Sequence, residues 1–147
     1  MKLVSACLVG INCRYDGKNK LNSKLFKMFR KGGLVPVCPE QLGGLPTPRK
    51  PQEISGGTGE DVLKGKAKVL RDDGEDVTRN FIRGAEETLM IAKSLGIKEA
   101  ILESESPACG CGRIYDGSFS GKLREGDGVA ASILKNNKIK VRSEKEI

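Results

Sequence analysis

The sequence predicts an α/β fold: a single-domain, three-layer sandwich built on a mainly parallel, Rossmann-like sheet. Three observations carry that expectation. Short apolar runs alternate with helical patterns along the chain, which is how βαβ units read. Gly, Pro and Asp-Gly pairs punctuate the joints between them. The length, 147 residues, suits one domain covering 1–147 and leaves little room for a second.

Residues 2–9 (KLVSACLV) form an apolar run rich in β-formers, closed by Gly10, and read as a buried strand. Residues 11–20 have loop chemistry. Asn22 or Ser23 caps a short helix with Leu25, Phe26, Met28 and Phe29 on its inner side, stopped by Gly32-Gly33. Residues 34–38 (LVPVC) make a second strand; Pro36 lacks a ladder donor and so predicts an edge position or an irregularity. Residues 39–59, dense in Pro, Gly, Thr and Gln, read as a long loop, of the kind that is usually functional or disordered. A small strand over 66–70 and a turn at Asp72-Asp73-Gly74 follow. Asp76 or Thr78 then caps the longest helix. Phe81, Ile82, Ala85, Leu89, Ala92 and Leu95 recur at helical spacing before Gly96 stops it. Residues 97–102 supply a third core strand, 104–128 a second Gly-rich loop, 129–134 a last helix and 139–141 a last strand. The segments Arg14-Tyr15-Asp16-Gly17 and Ile114-Tyr115-Asp116-Gly117 read as two similar turns.

Composition narrows the chemistry. The chain has no His, so imidazole bases, Ser-His-Asp triads and His-bearing metal sites are excluded. It has no Trp and only 4% aromatic residues, too few for a nucleic-acid stacking platform. Mean hydropathy is −0.35, and no apolar run approaches the ~20 residues of a membrane span. The N-terminus runs straight into a strand rather than a signal peptide, so the cytoplasm is the expected compartment. The net charge of +7 is concentrated in residues 1–50, which carry ten Lys/Arg against Asp16 and Glu40. A solvated helix face explains that group better than a polyanion site, given the missing aromatics. Oligomeric state is not legible.

The five cysteines carry the most information. Cys7 lies near the end of the first strand, Cys38 ends the second, and Cys109 follows the third after a turn. In a parallel sheet the carboxyl ends of the strands share one edge, where ligand crevices form. Three thiols far apart in sequence would converge there. They could hold a [4Fe–4S] cluster by three irons with the fourth open, or a zinc ion with a water, or be small buried apolar residues. Cys13 and Cys111 fit less well, each one short step beyond a better-placed Cys. A disulfide framework is not expected in the cytosol. Near the thiols, Glu40 is the natural general base in a chain without His. Ser106 places a hydroxyl three residues before Cys109, and Arg49 suits a carboxylate or an anion.

At these residues the chain resembles the DUF523 family, long catalogued as a domain of unknown function and now including the thiouracil desulfurases. The matching blocks are Ser5-Ala6-Cys7-Leu8-Val9-Gly10, Arg14-Tyr15-Asp16-Gly17 and Val35-Pro36-Val37-Cys38-Pro39-Glu40. Further blocks are Gly43-Gly44-Leu45-Pro46-Thr47-Pro48-Arg49, Gly84-Ala85, Ser106-Pro107-Ala108-Cys109-Gly110, Ile114-Tyr115-Asp116-Gly117 and Gly126-Asp127-Gly128-Val129. The resemblance implies that Cys7, Cys38 and Cys109 ligate a [4Fe–4S] cluster whose open iron takes the sulfur of a small thiolated substrate. It implies catalytic roles for Glu40 and Ser106, and makes Arg14, Tyr15 and Arg49 candidate substrate or anion contacts. The expected reaction is C=S to C=O with release of sulfide. A sulfur carrier serving tRNA or metabolite thiolation would use the same cluster, and a metal-free binding protein would ignore the thiols. The family block usually reads Ser-Pro-Ser-Cys-Gly after Leu-Lys. Here Ala108 replaces the second Ser and Glu103 the Lys, which removes a positive charge, and Cys111 is an additional soft donor.

Overall fold

The computed structural model describes residues 1–147. In chain order the elements are β1 (Lys2–Ser5), α1 (Ser23–Arg30), β2 (Leu34–Val37), α2 (Pro39–Leu42), β3 (Gln52–Ser55), α3 (Gly59–Leu63) and β4 (Lys68–Arg71). They continue with α4 (Thr78–Ser94), β5 (Glu99–Leu102), β6 (Arg113–Tyr115), β7 (Leu123–Glu125), α5 (Val129–Asn136) and β8 (Lys140–Ser143). The central sheet has the order β2-β1-β5-β8 and every pairing in it is parallel. Pro36 sits on β2, at the sheet edge that its missing donor demands.

Side-chain alternation explains the three layers. Leu3, Ala100 and Leu102 face one way and pack with Phe81 and Ala85 of α4 and Ala130 and Leu134 of α5. Val4 and Ile101 face the other way and pack with Leu8 and with Leu25 of α1. Both faces of the central strands are therefore covered, which is why they read as continuous apolar runs rather than alternating ones.

The same property explains a correction at the N-terminus. The strand expected over 2–9 ends at Ser5, and Ala6–Val9 is a buried 3-10 turn. An unbroken apolar run does not distinguish the two. The segment 39–59 is also more ordered than a loop. Pro39 at the first position of α2 and the Thr58–Asp61 capping box of α3 are helix starts inside a Gly- and Pro-rich stretch. β3 and β4 form a separate antiparallel pair. Segment 104–128 contains another, β6 with β7.

Helix ends follow local chemistry closely. The Asn22 side chain accepts the Leu25 N–H at the start of α1. At α4, Val77 holds the capping position while Asp76 accepts the Thr78 N–H, and Gly96 ends the helix at φ +65°. Leu95 and Phe26, expected inside, are exposed: Leu95 stands just past the last residue of α4, and Phe26 is turned about 100° from Leu25, the buried residue of α1.

One close approach fixes the position of α2. A Cβ added to Gly84 of α4 would lie 1.9 Å from the Pro39 carbonyl oxygen, and one added to Gly43 would lie 2.0 Å from that of Asn80. Asn80 also donates to the Gly43 carbonyl at 2.9 Å. Gly84→Ala is expected to push α2 off α4 and to cost about 1–3 kcal/mol, read as a lower urea midpoint. Since α2 begins one residue after Cys38, the same variant should bind less iron after anaerobic reconstitution.

Candidate active site

The parallel strands all end at one edge. Beyond Ser5 the chain turns through Cys7; beyond Val37 stands Cys38; beyond Leu102 come Glu103 and the turn to Cys109. These three thiols, with Glu40 and Ser106, line a single cavity of about 280 Å³. Arg14, Tyr15 and Arg49 line it as well. The sheet's topology thus unites residues drawn from three crossover connections, as ligand crevices in parallel sheets do.

Each thiol is placed by a local device. Cys7 sits in the 3-10 turn, where its carbonyl accepts the Lys20 N–H at 2.9 Å and ties down the following loop. Cys38 occupies the capping position of α2 without making a cap hydrogen bond; it lines the cavity, and its thiol donates to the Cys13 carbonyl. Cys109 is held by Ser106, whose Oγ accepts the Cys109 N–H at 2.8 Å. That bond uses a lone pair of the hydroxyl and leaves its proton free to donate. The Ser5 hydroxyl, unremarked by the spacing of chemical groups, accepts the Glu103 N–H at 2.8 Å, and Ser5 lines the same cavity as Cys109.

A fourth thiol joins these three. Cys13, which spacing ranked behind Cys7, lines the same cavity, and its carbonyl accepts from the Cys38 thiol at 3.8 Å. Its ionisation is eased by the neighbouring Cys38 thiol but opposed by that of Cys7 and by burial, and is pushed up to about 11. The neighbouring Cys13 thiol, with burial behind it, raises Cys38 far above the ordinary thiol range. Burial raises Cys109, and Cys7 is raised too, by burial and the Glu103 carboxylate against an opposing effect of the Cys13 thiol. Cys111 lies elsewhere, with its sulfur 3.5 Å from the Val141 carbonyl oxygen.

Two ion pairs shape the cavity's polar wall. Arg49 Nε donates to Glu40 Oε1 at 3.0 Å, and both side chains are largely shielded from solvent. Burial raises the Glu40 carboxyl above the ordinary range, and the Arg49 cation opposes the shift. The remaining Arg49 donors go to the Pro46 and Cys13 carbonyls and to Thr47 Oγ1. Arg49→Ala would strand a buried carboxylate, and the expected loss of about 3–5 kcal/mol is measurable by chemical denaturation. On the facing wall Arg14 pairs with Glu103, whose second oxygen accepts from the Cys7 thiol at 3.3 Å.

The two Tyr-Asp-Gly turns each contribute their Tyr, Tyr15 and Tyr115, to the cavity lining. In each, the Asp Oδ1 accepts the N–H two residues on, at Lys18 and at Ser118. The buried Glu53 accepts the Gly117 and Phe119 N–H groups at 3.0 and 3.1 Å and pins the second turn to β3.

This donor set suits a soft, sulfur-ligated group. Four thiols, three buried and that of Cys38 half-buried, line one space, no imidazole competes, and the thiols resist ionising unless a cation takes the proton's place. No group of three Cys, Asp or Glu side chains is arranged to hold a single metal ion. A cube that offers each thiolate its own iron requires no such common point.

A family model described as 2-thiouracil desulfurase matches residues 3–146. The chain is 50% identical over 147 residues to the uncharacterized protein YbbK of Bacillus subtilis (strain 168), covering 100% of this chain and 97% of that one. Among solved structures it is similar to the [4Fe-4S]-dependent thiouracil desulfidase TudS, with a TM-score of 0.87 and 40% identity. That match covers 99% of this chain and 91% of the other. No helix is long and apolar enough to cross a membrane.

Proposed function

The chain belongs to the 2-thiouracil desulfurase family, and from that premise we propose that it is an iron–sulfur enzyme that desulfurates a thiolated nucleobase. The substrate's C=S becomes C=O, and sulfide is released. What supports this reading above all is the set Cys7, Cys38 and Cys109 around one cavity with Glu40 and Ser106 in its wall. In this reading the three thiolates hold a [4Fe–4S] cluster by three of its irons. When bound, such a cluster supplies a Lewis-acidic iron that polarises a thiocarbonyl and accepts its sulfur.

The chain's own residues do the rest. Glu40, carrying the raised carboxyl that burial imposes, takes a proton from the attacking water as its oxygen bonds to the ring carbon. Arg49 holds that carboxylate at a fixed angle through its 3.0 Å bond. Ser106 keeps its hydroxyl proton for the substrate while its oxygen holds the Cys109 turn. Overall, water contributes the oxygen of the product carbonyl, and its two protons leave with the sulfur as hydrogen sulfide. No electrons are transferred.

Anaerobically reconstituted protein is the material for the test. It should release sulfide from 2-thiouracil with many turnovers, and uracil formed in ¹⁸O-labelled water should carry the label. A fully loaded cluster that leaves every thiolated base untouched overturns the reading. Sulfur passed once, stoichiometrically, to an acceptor would mark a carrier instead.

A further inference from the structure

Resting on the desulfuration reading, we propose that Gln52 is a specificity-determining residue: its side-chain amide donates to the ring carbonyl that the base carries beside its thiocarbonyl. The site then favours bases that keep this second carbonyl over bases whose thiocarbonyl stands alone.

The accounting of buried polar groups singles out this residue. Four buried polar side chains line the cavity: Ser5, Gln52, Glu53 and Ser104. Three of them are satisfied within the chain. Ser5 accepts the Glu103 N–H, Glu53 accepts the Gly117 and Phe119 N–H groups, and the Ser104 hydroxyl donates to Glu144 at 2.7 Å. Gln52 is 6% exposed, and its Nε2 has no partner. A buried donor left unpaired is costly, and the great majority of such groups are paired. Here the chain supplies no acceptor, and a carbonyl oxygen of a bound ligand would.

The strand explains why the amide is held where it is. Successive side chains of β3 alternate between its faces, so Gln52 shares a face with Ile54, which is fully buried in the core. An apolar residue is the ordinary occupant of such a position. Directly opposite Gln52 stands Arg71 of β4, close enough for the two side chains to meet. The terminal nitrogens of Arg71 pair with Asp73 and Glu75, while its buried Nε has no partner. Two unpaired donors thus occupy opposed positions, and the amide contains one acceptor between them. With Oε1 given to Arg71 Nε, the two N–H groups of Gln52 remain for the cavity. An analogue without the second carbonyl would leave them unpaired, which is how a hydrogen-bonding site rejects a ligand lacking its partner.

The test is equilibrium binding to the cluster-loaded protein of uracil and its two one-carbonyl analogues, pyrimidin-2-one and pyrimidin-4-one. Uracil is expected to bind about tenfold or more tighter than either analogue. In Gln52→Met and Gln52→Glu, uracil should weaken by about the same factor while the analogues change little, so that the preference disappears. Gln52→Glu keeps an acceptor for Arg71 and lacks the N–H groups, which separates a lost donor from a lost contact between the strands. Analogues that bind the unaltered protein as tightly as uracil overturn the proposal. So does uracil binding that survives both substitutions, or a loss equal on all three ligands, which is what a merely structural role would produce. Because binding is read without turnover, a lack of sulfide release from thiolated bases would count against desulfuration alone.

Discussion

Glu40→Gln is expected to lower kcat for sulfide release by about 10²- to 10⁴-fold, the usual contribution of a positioned general base. The amide preserves the shape of the side chain and one acceptor for Arg49 Nε, so α2 and Cys38 should stay in place. Iron and acid-labile sulfide content should therefore match the unaltered protein, and so should the visible absorption of the cluster. That combination separates a lost proton acceptor from a lost cofactor. A variant with full cluster content and undiminished kcat would remove Glu40 from the chemistry. Arg49→Lys adds a second reading. It keeps the charge but not the fork, because Nε, Nη1 and Nη2 reach separate partners. A fall in kcat with unchanged KM is expected, as Glu40 loses its fixed orientation.

The second large effect concerns the thiols. Single Cys7→Ala, Cys38→Ala and Cys109→Ala variants should each fall from about four irons per chain to a small residue, and lose sulfide release with the iron. Cys111→Ala should retain both, since its sulfur contacts the Val141 carbonyl rather than the cavity. Iron and labile-sulfide assays after anaerobic reconstitution, alongside far-ultraviolet circular dichroism, check this without relying on activity. Full iron in any one of the three alanine variants would remove that residue from the ligand set. Cys13→Ala belongs in the same series because Cys13 lines the cavity with the three thiols.

Much of the architecture was legible beforehand because its causes are local. The edge position of β2 follows from a proline without a donor, the start of α1 from an asparagine cap, and the end of α4 from a glycine with positive φ. The 3-10 turn at Ala6–Val9 was not legible, since burial on every side erases the periodicity that separates strand from helix. The short elements within 39–59 and 104–128 were hidden for another reason. Three- to five-residue elements carry too few positions to show a period, and turn residues dominate the composition around them.

The sequence alone determined which chemistry is available: no imidazole, thiols just beyond three strand ends, a carboxylate two residues from one and a hydroxyl three from another. Those features are relations between near neighbours, and alternation along the chain was enough to send the strand ends to one edge. Tertiary structure decided the electrostatics of the cavity. Cys7 meets Glu103 across 96 positions and Arg14 meets it across 89. Cys13 returns to the thiol cluster because the loop after the 3-10 turn is tied back to it. Such pairings depend on how distant segments pack against each other, and no spacing along the chain records them.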